Sequence, residues 1–271
     1  MNEQYRNIDA VNHSTLKYMA ESPLHYKHNI DNPKPTTDAM RLGTAAHMAI
    51  LEPPRFLESV VYYEGRRAGK SWEQFAVENQ DRLIVRAHEY DHCLKMSESV
   101  WFNPDIKHLL QNGYAELSIT WNDEYTGLFC KGRIDFMTKD GYLVDLKTTR
   151  SIVYRDFQRT YAQMHYFSQL AFYYDGLIAN GHDIKGIYII AVENKPPYDA
   201  GLFEVDMTDI ERGRDKYRLW LEMLQECRTV DRWPGRYQGS QFLSLPSWAV
   251  EDDSDDIGDL DLNFHNEGEN E

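Results

Sequence analysis

Cysteine is the first thing this 271-residue chain has little of: Cys93, Cys130 and Cys227 lie far apart and form no CxxC pair. That excludes a disulfide framework, a structural zinc site and an iron–sulfur cluster, and it fits a reducing, cytoplasmic setting. Long apolar runs are absent too. None approaches the ~20 residues that cross a bilayer, and the N-terminus MNEQYRNIDA has no signal-peptide core, so no membrane partner is expected. There is no internal repeat. Positive charge is also scarce: the net charge is −15, where nucleic-acid-binding domains usually carry a basic footprint. Most of that deficit is local. Residues 251–271 (EDDSDDIGDLDLNFHNEGENE) hold ten acids and no Lys or Arg, which leaves −5 for residues 1–250. A mildly acidic body suits an anionic partner only if its basic groups line one channel and metal ions cover its carboxylates.

The length suffices for one domain with a substantial core. That domain is expected over residues 1–250, with 251–271 as an acidic, disordered tail. Residues 12–28 (NHSTLKYMAESPLHYKH) read as a short helix capped by Asn12 or Ser14 and stopped at Ser22-Pro23. Thr37-Asp38 caps a second helix, AMRLGTAAHMAILE, ended by Pro53-Pro54; its Gly43, Ala45 and Ala46 permit close approach of another element. Residues 62–80 read as a polar loop leading into a helix, and helical patterns follow at 82–98 and 102–111. Strand character at 115–121, 127–137 and 142–147 predicts an antiparallel meander. A long helix over 154–180, a buried strand GIYIIAVE (186–193), a strand GLFEVDM and a helix over 206–228 complete the pattern. This order predicts an α/β fold, one mixed sheet with an N-terminal helical layer.

The chemistry is concentrated in residues 132–149, GRIDFMTKDGYLVDLKTT. Two short strands meet at a turn, Lys139-Asp140-Gly141, and Asp-Gly between apolar segments is a hairpin signal. The first strand carries Asp135 and the second Asp145-Leu146-Lys147. Side chains alternate along a strand, so Asp145 and Lys147 point one way and Leu146 the other; the hairpin can bring Asp135 beside them. Two carboxylates and an ammonium on an otherwise apolar sheet suit a divalent metal. Hard cations such as Mg²⁺ take oxygen ligands from carboxylates, waters and phosphate. The amine can orient a metal-bound water or offset charge on a phosphorane-like transition state. A solvated ion pair is the plain alternative.

Other residues read less sharply by themselves. His47, among small apolar residues, reads as a core histidine. Glu116 is either an exposed edge residue or an outer carboxylate, and Gln169 and Tyr173, four apart, share a helix face. Gly65-Arg66-Arg67-Ala68-Gly69-Lys70-Ser71 falls one residue short of a phosphate-binding GxxxxGK[ST], with Glu64 where the first glycine belongs and no buried strand before it, which rejects an ATPase. Its Arg66, Arg67 and Lys70 are candidate DNA-backbone contacts, a solvated basic loop being the equal alternative.

Taken in order, these elements resemble the PD-(D/E)xK nuclease superfamily. Within it they resemble the branch of RecE (exonuclease VIII), lambda exonuclease and the RecB nuclease domain, and most of all the RecE-like phage exonucleases. The resemblance rests on the SxxLKxMxxSPLHY opening, Gly43-Thr44-Ala45-Ala46-His47 followed by Leu51-Glu52-Pro53, and Glu116 before Thr126-Gly127. Gly132-Arg133-Ile134-Asp135, Asp145-Leu146-Lys147-Thr148-Thr149, and Tyr166-Phe167-Ser168-Gln169 through Tyr173 complete it. It implies a restriction-endonuclease-like core that cleaves DNA with a metal. By this resemblance Asp135, Asp145 and the main-chain carbonyl of Leu146 bind Mg²⁺, for which Mn²⁺ would substitute. His47 becomes a metal ligand, or positions one. Lys147 positions and activates the attacking water, Gln169 and Tyr173 sit beside the metals and the scissile phosphate, and Glu116 is an outer member. The third acidic position is Asp, a normal variant, and the missing cysteine quartet excludes the iron–sulfur subfamilies.

The resemblance further implies a phage- or prophage-encoded enzyme that binds ends of double-stranded DNA. It would degrade one strand from the 5′ end and leave a 3′ tail for an annealing protein. A homo-oligomeric ring, trimeric or tetrameric, would enclose the duplex with basic groups at its hole. The acidic tail is expected to dock a single-strand annealing or single-strand-binding protein. Two alternatives stay open: an end-independent endonuclease of a restriction or defence system, and a non-enzymatic acidic adaptor or DNA mimic.

Overall fold

Residue 5 and residues 7–250 are described by the computed structural model, so the expected disordered tail at 251–271 lies outside the described residues. Asn12 caps helix α1 (His13–Leu16) by accepting the Thr15 amide at 3.0 Å, and a 3₁₀ turn, Lys17–Ala20, continues it. Ser22 then does more than stop the segment. Its hydroxyl accepts the His25 amide, and Pro23, already fixed at a helical φ, opens α2 (Pro23–Asp31). Thr37 caps α3 (Asp38–Leu51) through the Met40 amide. Pro53 likewise ends one helix and begins another, α4 (Pro53–Ser59).

The stretch read as a polar loop leading into a helix, 62–80, is bracketed by a small parallel sheet. Strand β1 (Val60–Tyr63) pairs with β2 (Leu83–Arg86), and α5 (Lys70–Glu78) connects them. Each strand buries one residue, Val60 and Val85, too few to print a period of two on the sequence. A strand therefore does precede the Gly65–Ser71 loop, although most of it is exposed or half-buried. The helical pattern expected from 82 starts at Ala87, with α6 (Ala87–Phe102) followed by α7 (Pro104–Leu110).

The main sheet has the order β3 (Gly113–Asn122), β4 (Phe129–Thr138), β5 (Tyr142–Thr149), β6 (Gly186–Glu193), β7 (Ala200–Glu204). The first three strands form the antiparallel meander; β6 runs parallel to β5 and antiparallel to β7. The fold is a mixed α/β sheet, as the element order predicts. In β6, Ile187, Ile189, Ile190, Ala191 and Val192 are all buried, because helices cover both faces and the strand reads as a continuous apolar run. Each large aliphatic so buried contributes about 1.5–3 kcal/mol.

The parallel β5–β6 crossover runs through two helices, α8 (Tyr154–Gln163) and α9 (Tyr166–Ala179). The single helix expected over 154–180 is broken at His165, which sits in the left-handed region at φ 58°. A last long helix, α10 (Met207–Val230), is capped by Asp206 accepting the Thr208 amide at 2.8 Å. It touches α9 directly: a Cβ at Gly213 would lie 2.4 Å from the Phe167 carbonyl oxygen.

Two cores flank the sheet. One gathers Leu16, Trp121, Ile134, Phe172, Ile187 and Trp220 among α1, α9 and α10. The other gathers Ile50, Met96, Phe136, Val144, Leu146 and Ile190 among α3, α6 and the opposite face. Among the described residues, those up to Arg236 form one compact unit and those from Tyr237 belong to a second. The described part of that second unit has a single helical turn, α11 (Ser247–Val250), and exposes Tyr237, Phe242, Leu243 and Leu245.

Candidate active site

Strands β3 and β4 keep one register from Gly113 opposite Thr138 to Asn122 opposite Phe129, except that Glu116 and Asp135 face each other unpaired. Glu116 occupies the left-handed region at φ 55°. On one side of this pair Ile119, Trp121, Cys130 and Ile134 enter the first core; beyond it Phe136 enters the second, with Ala115 packed there. The alternation of both strands thus changes phase at Glu116 and Asp135. Their carboxylates face a cleft of about 420 Å³, which His47, Arg55, Arg133 and Tyr173 also line.

β4 and β5 pair only at Phe136 with Val144 and Met137 with Leu143. One step further would set Asp135 opposite Asp145, but there the strands part. Asp135 fills the gap: its Oδ2 accepts the Leu146 amide at 2.8 Å. The N–H and C=O of an extended residue leave the strand on the same edge, so the Leu146 carbonyl also faces this gap. Further along, the vacated edge of β4 is taken by the N-terminal segment. The Val11 amide donates to Phe129 O at 2.9 Å and the Lys131 amide to Val11 O at 2.7 Å. The Lys131 amine donates to the carbonyls of Tyr5 and Ile8.

One half of the site is a potential ligand group. His47 Nδ1 lies 3.6 Å from Asp135 Oδ1, and one donor atom each from His47, Glu116 and Asp135 fall within 4.8 Å of one another. Burial is the largest influence on His47 and would lower its pKa, but the nearby carboxylate of Asp135, with help from Glu116, raises it. Glu116 is raised by burial and then by Asp135, against its ion-pair partner Arg133. Burial would raise Asp135 too, yet His47, Lys147 and the Leu146 amide hold it below the usual carboxylate range.

The other half centres on Asp145, which is 1% exposed. Among the described residues neither of its oxygens receives a hydrogen bond. Lys147 Nζ lies 2.7 Å from Oδ2 but outside hydrogen-bonding direction. Burial pushes the Asp145 carboxyl up to about 6; Lys147 opposes this and Asp135 adds to it. Lys147 is raised, since Asp145 and Asp135 outweigh the burial that would lower it. Its amine donates to Gln169 Oε1 at 2.9 Å and lies 4.5 Å from the Tyr166 ring centre. Gln169 in turn donates to the Tyr173 hydroxyl at 3.0 Å. Tyr173 can lie against β4 because residue 132 is glycine: a Cβ there would sit 3.1 Å from the Tyr173 ring. As strand alternation requires, Asp145 and Lys147 share a face and Leu146 enters the opposite core.

Residues 12–245 match the family described as PDDEXK-like domain of unknown function (DUF3799). The chain belongs to this PDDEXK-like family. No curated protein matches it. A Eubacterium rectale protein carrying the provisional name of exonuclease shares the fold, with a TM-score of 0.63 over 93% of this chain and 97% of its own at 15% identity. LHK-Exo in complex with dAMP aligns over 71% of this chain and 96% of its own at 12% identity, with a TM-score of 0.28, too low to argue from.

For a PDDEXK-like chain the donor set is the test of a metal. A buried carboxylate that meets one ammonium and no well-directed donor keeps part of its desolvation cost. A hard cation held in the His47–Glu116–Asp135 donor group, next to the electrostatically coupled Asp145, would offset that cost with oxygen ligands of the type such ions take. The residues present therefore fit a divalent ion. The plain alternatives for two residues fail: the Asp145–Lys147 pair is buried rather than solvated, and His47 turns toward Asp135 rather than into the core.

Not every candidate is brought here. Arg66 and Lys70 are exposed, and Arg67 is held by the Ile84 carbonyl, by Asp38 and Glu89, and against Trp72. None of the three lines the cleft. Conversely, Arg133, Tyr166 and Tyr5 contact the site, although the sequence reading assigns none of them a role there. Arg133 was readable once the β3–β4 register is known, because diagonal cross-strand neighbours such as Glu116 and Arg133 interact.

Proposed function

We propose that this chain is a divalent-metal-dependent nuclease that acts on the ends of linear double-stranded DNA. The observation that carries the reading is Asp145: a buried carboxylate whose one partner among the described residues is the Lys147 amine, beside Asp135 where the strands part. A bound Mg²⁺, or Mn²⁺ in its place, would polarise a phosphoryl oxygen and lower the pKa of a bound water. Asp135, Asp145 and the Leu146 carbonyl would hold that ion, with His47 and Glu116 adjoining. The chain's own contribution to the chemistry is positional. Gln169 and Tyr166 keep the Lys147 amine at the mouth of the Asp135–Asp145 gap, where it would orient the attacking water and stabilise charge on the phosphate. The exonuclease name of the Eubacterium rectale protein, together with the resemblance to RecE-like enzymes, favours an end-dependent, 5′→3′ reaction that leaves 3′ tails for an annealing partner. A trimeric or tetrameric ring and docking through residues 251–271 belong to the same proposal.

Digestion of linear duplexes labelled at the 5′ or the 3′ end, with and without Mg²⁺, tests it. Labelled nucleotide should be released from the 5′ end only with metal, and a covalently closed circle should stay intact. Cleavage of the circle would make the chain an endonuclease, and persistent digestion in EDTA would remove the metal. Light scattering that finds a monomer at working concentration would remove the ring.

A further inference from the structure

Beneath the site lies a hydrogen-bonded pair that no substrate can reach. His13, the first residue of α1, is 3% exposed, and its Nε2 lies 2.8 Å from the hydroxyl of Ser168, fully buried on α9. The single Ser168 proton is donated to the His165 carbonyl at 3.1 Å. With the histidine proton on Nε2, the Ser168 oxygen accepts from His13 while its own proton goes to the His165 carbonyl, an arrangement that satisfies both groups. Ser168 belongs to the first turn of α9, the same turn as Tyr166 and Gln169, the two side chains that hold the Lys147 amine.

That turn packs on α10 through Phe167 but, among the described residues, has no side-chain cap of its own. α9 enters it from the left-handed His165. The amides of a helix start need partners to fix the turn in place. The tie from α1 adds a polar fixed point to this packing, one residue before the Gln169 that reaches Lys147.

We propose that His13 is a positioning residue for Lys147, acting through Ser168 and the first turn of α9. The inference deepens the nuclease reading and rests on it for its catalytic consequence, but one arm of the test does not depend on activity. In the metal-free, ¹⁵N-lysine-labelled full chain, the Lys147 ammonium signal (identified by its loss in Lys147→Arg) should be visible because its protons are held by Gln169. It should broaden or vanish in Ser168→Ala and His13→Leu, and return in His13→Gln, whose amide reaches close to the position of Nε2. An unchanged signal in the folded Ser168→Ala protein would overturn the proposal whether or not the chain cuts DNA.

The second arm is kinetic. Ser168→Ala should lower kcat roughly ten- to hundredfold, the scale of a small misplacement of a catalytic group, while KM for DNA stays within about twofold. In a Lys147→Ala background the same substitution should change kcat by less than about twofold, because residues acting as one unit are not additive. Equal losses in both backgrounds would mean that His13 and Ser168 serve only general packing. A wild-type protein that cuts nothing would end the nuclease reading, and the ammonium signal would still decide the positioning role.

Discussion

Asp135 stands in for a missing strand partner of Leu146: its Oδ2 takes the Leu146 amide at 2.8 Å where β4 and β5 have parted, and its Oδ1 is left facing His47. One carboxylate therefore closes the backbone account of the gap and offers an oxygen to the cleft. These two roles can be separated.

Asp135→Asn keeps an acceptor for the Leu146 amide but loses the charge. The melting temperature should fall by only a few degrees, matching a loss of about 1 kcal/mol in a chain of this size. Metal-dependent cleavage should fall on the order of a thousandfold, the scale of losing a preorganised electrostatic group. A large drop in melting temperature with residual cleavage would reverse the assignment.

Lys147→Ala removes the amine from the Asp145–Gln169 bridge. Turnover in saturating Mg²⁺ should fall on the order of a hundred- to a thousandfold, with duplex binding by gel shift little changed. Near-normal turnover would take the lysine out of the reaction.

Asp145 sets a pH dependence for the metal. Its carboxyl, raised to about 6 by burial and then by Asp135 against Lys147, is protonated below that pH, and an ion can bind only the deprotonated form. Mg²⁺ affinity by calorimetry should weaken roughly tenfold per unit as pH falls through 6, in addition to the loss from protonation of the raised His47 beside it. Asp145→Asn should abolish Mg²⁺-dependent thermal stabilisation. Affinity unchanged between pH 7 and 5 would exclude Asp145 as a ligand.

Much of this site was legible. Period-two alternation placed Asp145 and Lys147 on one face, and an Asp-Gly turn set Asp135 across from them. The helical stripe Met40, Gly43, Thr44, His47 lines the cleft, while Ala45, Ala46, Ala49 and Ile50 are buried; the spacing contains that split, but small apolar neighbours disguised His47. Other features left no local trace. The divergence of β4 from β5 is a lack of pairing, and lack of pairing has no residue signature. Glu116 and His165 adopt left-handed conformations that usually fall to Gly or Asn, so neither the bend in β3 nor the break before α9 is announced.

The φ of Glu116 makes a further prediction. A non-glycine residue in that region costs on the order of 1 kcal/mol, and the surrounding ladder enforces it. Glu116→Gly and Glu116→Ala remove the same carboxylate and leave Arg133 equally unpaired, but only glycine relieves the backbone. The glycine variant should be more stable by about 1 kcal/mol, or about 2–4 °C in melting temperature. Equal melting temperatures would show that β3 relaxes at this position.

His13 predicts how the fold responds to acid. Its pKa lies well below the ordinary histidine value, through burial first and then the positive charges of Lys17, Lys147 and His165. In the unfolded chain His13 takes up a proton as pH falls through about 6.5, while in the native chain it stays neutral. The unfolded state then binds more protons, so stability falls with falling pH, by about 1.4 kcal/mol per unit, until the native pKa is reached. Asp145 works in the opposite sense below its raised pKa, because there the native state binds the extra proton. The contribution of His13 therefore has to be read as a difference. Urea unfolding of wild type and His13→Gln between pH 7.5 and 5 isolates it: the glutamine variant should lose the His13 part of the slope and gain relative stability steadily below about pH 6.5. Parallel curves for the two proteins would mean that His13 is protonated in the native state, and its Nε2 hydrogen bond to Ser168 would have to be reassigned to an imidazolium.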